Sequence, residues 1–295
     1  MKLEDIRLIH GENSFQNAQI ERNNRTIDYE TSSNLTFTQM LSILKGLGLM
    51  SEFYDVKAAC TVKGSGICAT ALGQSLADAV TKVMDANPID FIHSIIVVSA
   101  EVDSEVARFL KDTNIIVAPS FTKNALEFLE SHNITYVTVH TPLKEYKNYL
   151  SNEIKITPLG TLTQTPNTSD LDKDLFKVIS KKKPTVEEIE DAVFAWKVAK
   201  HINSQAIVIA KDLKTNAVMQ GLQTASVEFA LDYSCDSSKD AILASDMPIT
   251  PHDIDVASQG RIGTIIVRLA DKNIIEKADK YEMAVITTGI TNILY

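Results

Sequence analysis

The sequence predicts an α/β fold in which one unit occurs twice. Short β-branched apolar runs alternate with amphipathic stretches, the pattern of strands and helices layered around a largely parallel sheet. Strand-like runs begin near Val56, His93, Asn114 and Ile134, and again near Gln205, Asp240, Ile262 and Glu282. The spacings are 37, 21 and 20 residues in the first set and 35, 22 and 20 in the second. A polar break containing four prolines lies between the sets.

The elements follow in order. Each run holds five or so apolar residues without alternation, as expected of strands buried on both faces. Helical patterns fill the gaps near residues 70–84, 103–111 and 121–131, then 220–234, 251–259 and 271–280. Residues 141–184 hold Pro142, Pro158, Pro166 and Pro184 and the polar run TQTPNTSDLDKD, and read as the inter-domain connection. The expected units are residues 1–175, with the N-terminal segment and the connector, and residues 176–295. A helix starts after Pro184, with Thr185 placed to cap it and Glu188 three residues on. It runs to about Ile202 and buries Val193, Phe194, Trp196, Val198 and Ala199.

At 295 residues the chain exceeds the size at which one core keeps growing, which also favours two domains. It is 44% hydrophobic and 23% charged, an ordinary globular composition. No run approaches the roughly 18 apolar residues of a membrane span, and MKLEDIRLIH lacks the apolar core of a signal peptide. Cys60, Cys68 and Cys235 are odd in number and without paired spacing, which fits reduced thiols in a cytoplasm. A net charge of −9 argues against a general binder of nucleic acid or membrane surfaces. It leaves room for a small anionic ligand held by a local cluster of donors.

The first candidate site is the loop Lys63-Gly64-Ser65-Gly66 that continues through Ile67 and Cys68 to Thr70. It reads as a strand-to-helix turn in which glycines allow close backbone approach and a helix N-terminus offers free N–H groups to an anion beside Lys63. The alternative is a tight structural turn with a surface lysine. The pattern is not a P-loop. His10, His93, His132, His140, His201 and His252 form no HxxxH or HExxH motif, and the zinc-deaminase signature is absent, so no metal is expected. Lys181, Lys182 and Lys183 read as a solvated charge run before a helix, or as an attractor for a phosphate.

Two stretches carry a family resemblance. Residues 8–16 read LIHGENSFQ and residues 193–208 read FAWKVAKHINSQAIVI. They are similar to the LRYGENPHQ and FAWKVVKHVKSNAIV segments of the AICAR transformylase half of the bifunctional AICAR transformylase/IMP cyclohydrolase family. The resemblance covers roughly residues 7–295 and omits the cyclohydrolase half. It implies two cytidine-deaminase-like three-layer α/β/α units in one chain, and a homodimer with active sites at the subunit interface. The reaction it implies is formyl transfer from 10-formyltetrahydrofolate to the amine of the purine ribonucleotide AICAR.

The resemblance also shows what has changed. VKGSGICATA aligns without a gap on VVKHANPCGVA, so Lys63 matches the catalytic lysine and Gly64 stands where the family has its catalytic histidine. Glycine has no titratable group, and proton transfer of this kind contributes roughly 10²–10⁴-fold. Ile9-His10 replace an Arg-Tyr pair, NPIDFIHSII replaces DPxSAFGGII, and Gln205 replaces a substrate-contacting asparagine. Residues 221–225 lose the arginine of Gly-Gln-Met-Ser-Arg, and Thr291 replaces another substrate arginine. Lys63 is the expected catalytic residue, and His10, Gly64, Ser65, Gly66, His93 and Gln205 the expected substrate contacts. His10 or His93 could supply a new base. Three readings stay open: an enzyme with an altered site, a non-catalytic relative that binds a nucleotide-like ligand or a partner chain, and a subunit that completes the site of an active paralogue.

Overall fold

The eight expected strands all form, each starting within two residues of its expected position. The computed structural model describes residues 6–22, 25–64, 66–171, 175–221 and 225–294. The N-terminal segment makes a small ladder, β1 (Ile6–Arg7) with β2 (Gln19–Ile20), and then β3 (Tyr29–Thr31). Thr36 and Gln39 form a capping box that starts α1 (Phe37–Met50). The first half continues through β4 (Lys57–Lys63), β5 (Gly66–Gly73), α2 (Leu76–Ala86), the short α3 (Pro88–Phe91), β6 (Ile95–Val98), α4 (Ser104–Phe109), β7 (Ile115–Ala118), α5 (Lys123–Ser131) and β8 (Thr135–Val139). The connector carries a hairpin, β9 (Glu153–Thr157) and β10 (Gly160–Gln164), and the edge strand β11 (Lys177–Val178). The second half comprises α6 (Val186–Ala199), β12 (Ile207–Lys211), β13 (Lys214–Met219), α7 (Ser226–Ser234), β14 (Ile242–Ser245), α8 (Pro251–Gln259), β15 (Thr264–Val267), α9 (Lys272–Lys280) and β16 (Ala284–Thr287).

The strands form one twelve-stranded mixed sheet, ordered β11-β16-β15-β14-β12-β13-β5-β4-β6-β7-β8-β3. The duplication read from the spacings is visible inside it. Each half opens with an antiparallel hairpin, pairs its first strand antiparallel with its third, and ends in three parallel strands. The halves meet where β5 runs antiparallel to β13, with Ala71 opposite Lys214. The strands that begin near Val56 and Gln205 therefore lie in a single continuous sheet rather than in two separate ones.

Two expected helices are corrected. The pattern over 70–84 becomes β5 followed by α2, which starts at Leu76 under a Ser75 cap. In the pattern over 220–234 the helix is α7, from Ser226, and residues 222–224 lie outside the described residues. The return strands of both hairpins were thus missed. In β5 the sequence ICATAL is rich in small residues that bury equally well in a helix or a strand, so periodicity does not separate the two. The corner after it is tight: a Cβ on Gly73 would lie 2.4 Å from the Ala79 amide nitrogen.

Helices cover both faces. α1 and α6 share one face and a core that spans both halves, in which Leu49, Met50, Phe194 and Trp196 are fully buried. The opposite face is covered by α2, α4 and α5 in the first half and by α7, α8 and α9 in the second. The Thr185–Glu188 capping box forms as expected. Residues 191–196 of α6 are all buried, as befits a helix enclosed between the sheet and its neighbours. Asp191 points its carboxylate at the β12–β13 turn and accepts the Asp212 and Leu213 amides at 2.9 and 2.7 Å. Both turn residues have φ of 56°, so this contact holds a left-handed turn without glycine.

Glu52, just after α1, is the ionic hub of this layer. Its side chain is 5% exposed and receives Lys200 Nζ at 2.8 Å and Lys147 Nζ at 3.4 Å. The Lys197 Nζ donates to its main-chain carbonyl at 2.9 Å. His201 Nε2 lies 3.5 Å away, too far for a full hydrogen bond, so that contact is electrostatic. Burial alone would raise the Glu52 carboxyl, but His201 and Lys200 together outweigh it and hold it well below the usual carboxylate range. Burial lowers the His201 imidazole below its ordinary value, against the pull of Glu52.

Glu52→Ala leaves Lys200 buried without its carboxylate and should cost roughly 3–5 kcal/mol in urea unfolding, with the denaturant slope unchanged. A loss under about 1 kcal/mol would remove the hub from this account. Acid should weaken the native protein in two stages. Both folded values are depressed, so each group stabilises the fold above its unfolded value and the benefit is lost as pH falls. The His201 contribution declines below about pH 6.5 and that of Glu52 below about pH 4.5. A melting temperature flat from pH 7 to pH 4 would contradict this.

Candidate functional site

The loop at Lys63 is a β-hairpin turn. Lys63 pairs with Gly66 across it, and Gly64 takes a φ of 54°, the left-handed conformation that glycine adopts freely. The chain then enters β5, not a helix, so the anion cradle expected at a helix N-terminus is not built here. Ser65 lies outside the described residues. Among the described residues, its chain neighbours aside, nothing lies within 4 Å of the Cβ position of Gly64.

Lys63 is already engaged. Its Nζ lies 3.3 Å from Asp90 Oδ1 and 3.5 Å from the Ile92 carbonyl oxygen, with both charged side chains about half exposed. His93 follows at φ 58°, its amide bonded to the Asp112 carbonyl. Lys63 and the His93 backbone therefore share one corner. On the other side of the turn, a Cβ on Gly66 would lie 3.1 Å from Gln220 Nε2, and the Gly221 amide donates to the Gln205 carbonyl at 3.2 Å. These contacts bring Lys63, Gly64, Gly66, His93 and Gln205 to one end of the sheet. Leu222, Gln223 and Thr224 lie outside the described residues.

His10 sits in another neighbourhood. Its Nδ1 is 2.7 Å from the Gly11 carbonyl, and its own carbonyl accepts the Phe37 amide at the start of α1. No hydrogen bond or ion pair among the described residues joins it to Lys63 or Gln205. Of the three lysines before α6, Lys182 Nζ donates to the Gly263 carbonyl at 2.9 Å and Lys183 Nζ to that of Ser180 at 3.2 Å, while Lys181 is solvent-exposed, 3.9 Å from Asp279.

Several residues of the corner were not singled out in the sequence. Asp90 is one, and its signal was present: in the aligned segment it stands where the family pattern has serine. Tyr233 on α7 is another. Burial, then the charges of Asp90 and Cys68, raise its phenol, so it stays protonated. Burial, then Asp90, push the Cys68 thiol up to about 11, opposed by Lys63. Gln205 is fixed from behind. The Ser204 hydroxyl donates to the Asp246 carboxylate, whose other oxygen accepts the Ala206 amide at 2.8 Å, and the Leu294 amide donates to the Ser204 hydroxyl at 3.0 Å. An apolar groove beneath α1, lined by Leu41, Leu44, Tyr146 and Tyr149 among others, includes none of the corner residues. No group of three or more metal-ligating side chains occurs among the described residues, and no described helix is long and apolar enough to cross a membrane.

The family model described as the AICARFT/IMPCHase bienzyme matches residues 2–232. The chain belongs to this family. It is 32% identical over 265 residues to the bifunctional purine biosynthesis protein PurH of Anoxybacillus flavithermus, covering 87% of this chain and 51% of that protein. It is 31% identical over 302 residues to PurH of Caldicellulosiruptor saccharolyticus, covering 96% of this chain and 58% of that protein. The chain thus spans between half and three-fifths of the length of these relatives.

The environment of Cys68 makes a direct expectation. At pH 7.5 iodoacetamide should label exposed Cys235 well before half-buried Cys68, and fully buried Cys60 last. Peptide mass mapping over time checks the order. Labelling of Cys68 as fast as Cys235 would mean its thiol is not suppressed as described.

Proposed function

We propose that this chain is an AICAR-transformylase-like protein of purine nucleotide metabolism whose formyl transfer is impaired or altered. The supporting observation is the convergence of Lys63, His93 and Gln205 at one sheet end of a family member, with Gly64 in place of the catalytic histidine. In this reading the purine ribonucleotide and 10-formyltetrahydrofolate meet at the Lys63 corner. Lys63 donates to the formyl oxygen as charge develops there, the electrostatic part of the catalysis. His93, whose neighbour Ile92 contacts Lys63, is the histidine assigned to take the amine proton. The duplicated strand order supports reading the two halves as cytidine-deaminase-like units, with the division near residue 175. A cytoplasmic location agrees with the three unpaired cysteines.

The partner in this reading is a second copy of the chain. Phe37, Leu41 and Leu44 expose one side of α1, and Ile154, Ile156, Leu159 and Leu162 expose the β9–β10 hairpin, more apolar surface than an isolated chain has use for. A second reading has a specific observation behind it. Lys63 is neutralised by Asp90, and a non-catalytic relative that binds a nucleotide-like ligand, or pairs with an active paralogue, would need no free lysine there.

Purified protein given AICAR and 10-formyltetrahydrofolate should turn over at least about 10²-fold below the common enzyme range of roughly 1–10³ per second. Lys63→Ala should abolish what remains. Turnover of several per second would show that the lost histidine has been fully replaced. Zero turnover, with AICAR still raising the melting temperature, would favour the non-catalytic reading. Light scattering should give twice the chain mass at micromolar concentration, and a monomer would remove the dimer from the proposal.

A further inference from the structure

The Lys63 corner has a twin in the second half. Lys211 ends β12 as Lys63 ends β4, and its Nζ donates to the Lys239 carbonyl at 2.9 Å, as that of Lys63 does to Ile92 at 3.5 Å. The next residue is left-handed in both, Asp240 with φ 57° and His93 with φ 58°. What differs is a carboxylate. Asp90 stands two residues before Ile92, while Ser237 stands two before Lys239. The fold builds this corner once with serine at that position, so backbone geometry does not demand Asp90.

Asp90 is nonetheless held in place. Buried Asn87 donates from Nδ2 to Asp90 Oδ2 at 3.0 Å and accepts the Asp90 amide at 3.0 Å. Oδ1 faces Lys63 Nζ at 3.3 Å. A carboxylate offers about four acceptor positions and an ammonium three donors, so both groups keep hydrogen-bonding capacity beyond each other. The Cys68 thiol, the Tyr233 phenol and the Gln220 amide nearby are uncharged. Lys63 and Asp90 offset each other and set one strong donor beside one strong acceptor.

We propose that Asp90 is the specificity-determining residue of the Lys63 corner, which accepts an uncharged group bearing both an N–H and an oxygen, such as an aromatic amine-carboxamide, and rejects phosphate. The N–H donates to Asp90 and the oxygen accepts from Lys63. A phosphate would gain Lys63 but face the Asp90 carboxylate at close range, where like charges repel strongly. The choice of an amine-carboxamide rests on the AICAR-type reading above; the selection against anions rests on the ion pair alone.

The test is calorimetric titration of the full chain with two probes, 5-aminoimidazole-4-carboxamide and inorganic phosphate. The native protein should bind the carboxamide and not phosphate. Asp90→Asn should reverse this, weakening the carboxamide and tightening phosphate by about tenfold or more. Asp90→Glu should keep the native preference, and Lys63→Ala should bind neither probe. Because the pair is half exposed, melting temperatures should change little, and circular dichroism checks that each variant folds. Native protein that binds phosphate as tightly as Asp90→Asn, or that binds neither probe, overturns the proposal. If the preference reverses as expected while formyl transfer is absent, the transferase reading falls and the specificity assignment stands.

Discussion

The buried carboxylate of Glu52 is the constraint on which the arrangement of the two halves depends. It sits in the segment after α1, in the first half, and its direct charged partners are Lys200 at the end of α6 and Lys147 in the connector. Lys200 also donates to the Ser169 carbonyl, and Lys147 also meets Asp170, so the connector is drawn into the same cluster. Removing two charges from water is expensive, and the cost is recovered only when geometry fixes several partners at once. That requirement sets α1 and α6 together over the sheet. The seam beneath them is thin by comparison: one opposed residue pair, the Thr70–Thr215 contacts and the Leu72 amide to the Leu213 carbonyl. The helix layer and its shared core thus do much of the work of making one body from two repeats.

Duplication also clarifies the candidate site. A lysine at the end of the first strand, bonded to a carbonyl before a left-handed residue, occurs in both halves, so that much of the Lys63 corner belongs to the scaffold. Only the first half adds Asp90, and only there does a glycine form the turn. In the second half the turn residues Asp212 and Leu213 are held by Asp191 from α6. A site in one repeat can change while the framework is kept, because the features that differ lie at the hairpin tip and the α3 corner, away from the three cores.

Much of the scaffold was legible in the sequence. Strand starts, the Thr185 cap and the burial of Val193, Phe194, Trp196, Val198 and Ala199 follow from periodicity and capping chemistry, which act locally. β5 and β13 were not legible, since small residues such as Ala69 and Ala71 suit either backbone and only their pairing decides. Continuity of the sheet was hidden for the same reason, being a contact between residues 143 apart in the chain. For the site, the family resemblance points to Lys63, Gly64, His93 and Gln205, but the helix N-terminus expected beside them is a strand, β5. Gly-Ser-Gly after a strand reads as a phosphate loop when a helix follows and as a hairpin when a strand follows.

That difference bears on what the loss of the histidine means. A Cβ at Gly64 would meet no atom within 4 Å among the described residues beyond its chain neighbours. The obstacle is the backbone, since φ of 54° costs an ordinary residue roughly 1–2 kcal/mol. With glycine in place the turn is relaxed and the lysine beside it is free to take a partner, which Asp90, pinned by Asn87, supplies. The two changes are coherent as a pair. Without Asp90, Lys63 would keep only the Ile92 carbonyl at the rim. Together they pair a strong donor, Lys63, with a strong acceptor, Asp90, at the hairpin tip.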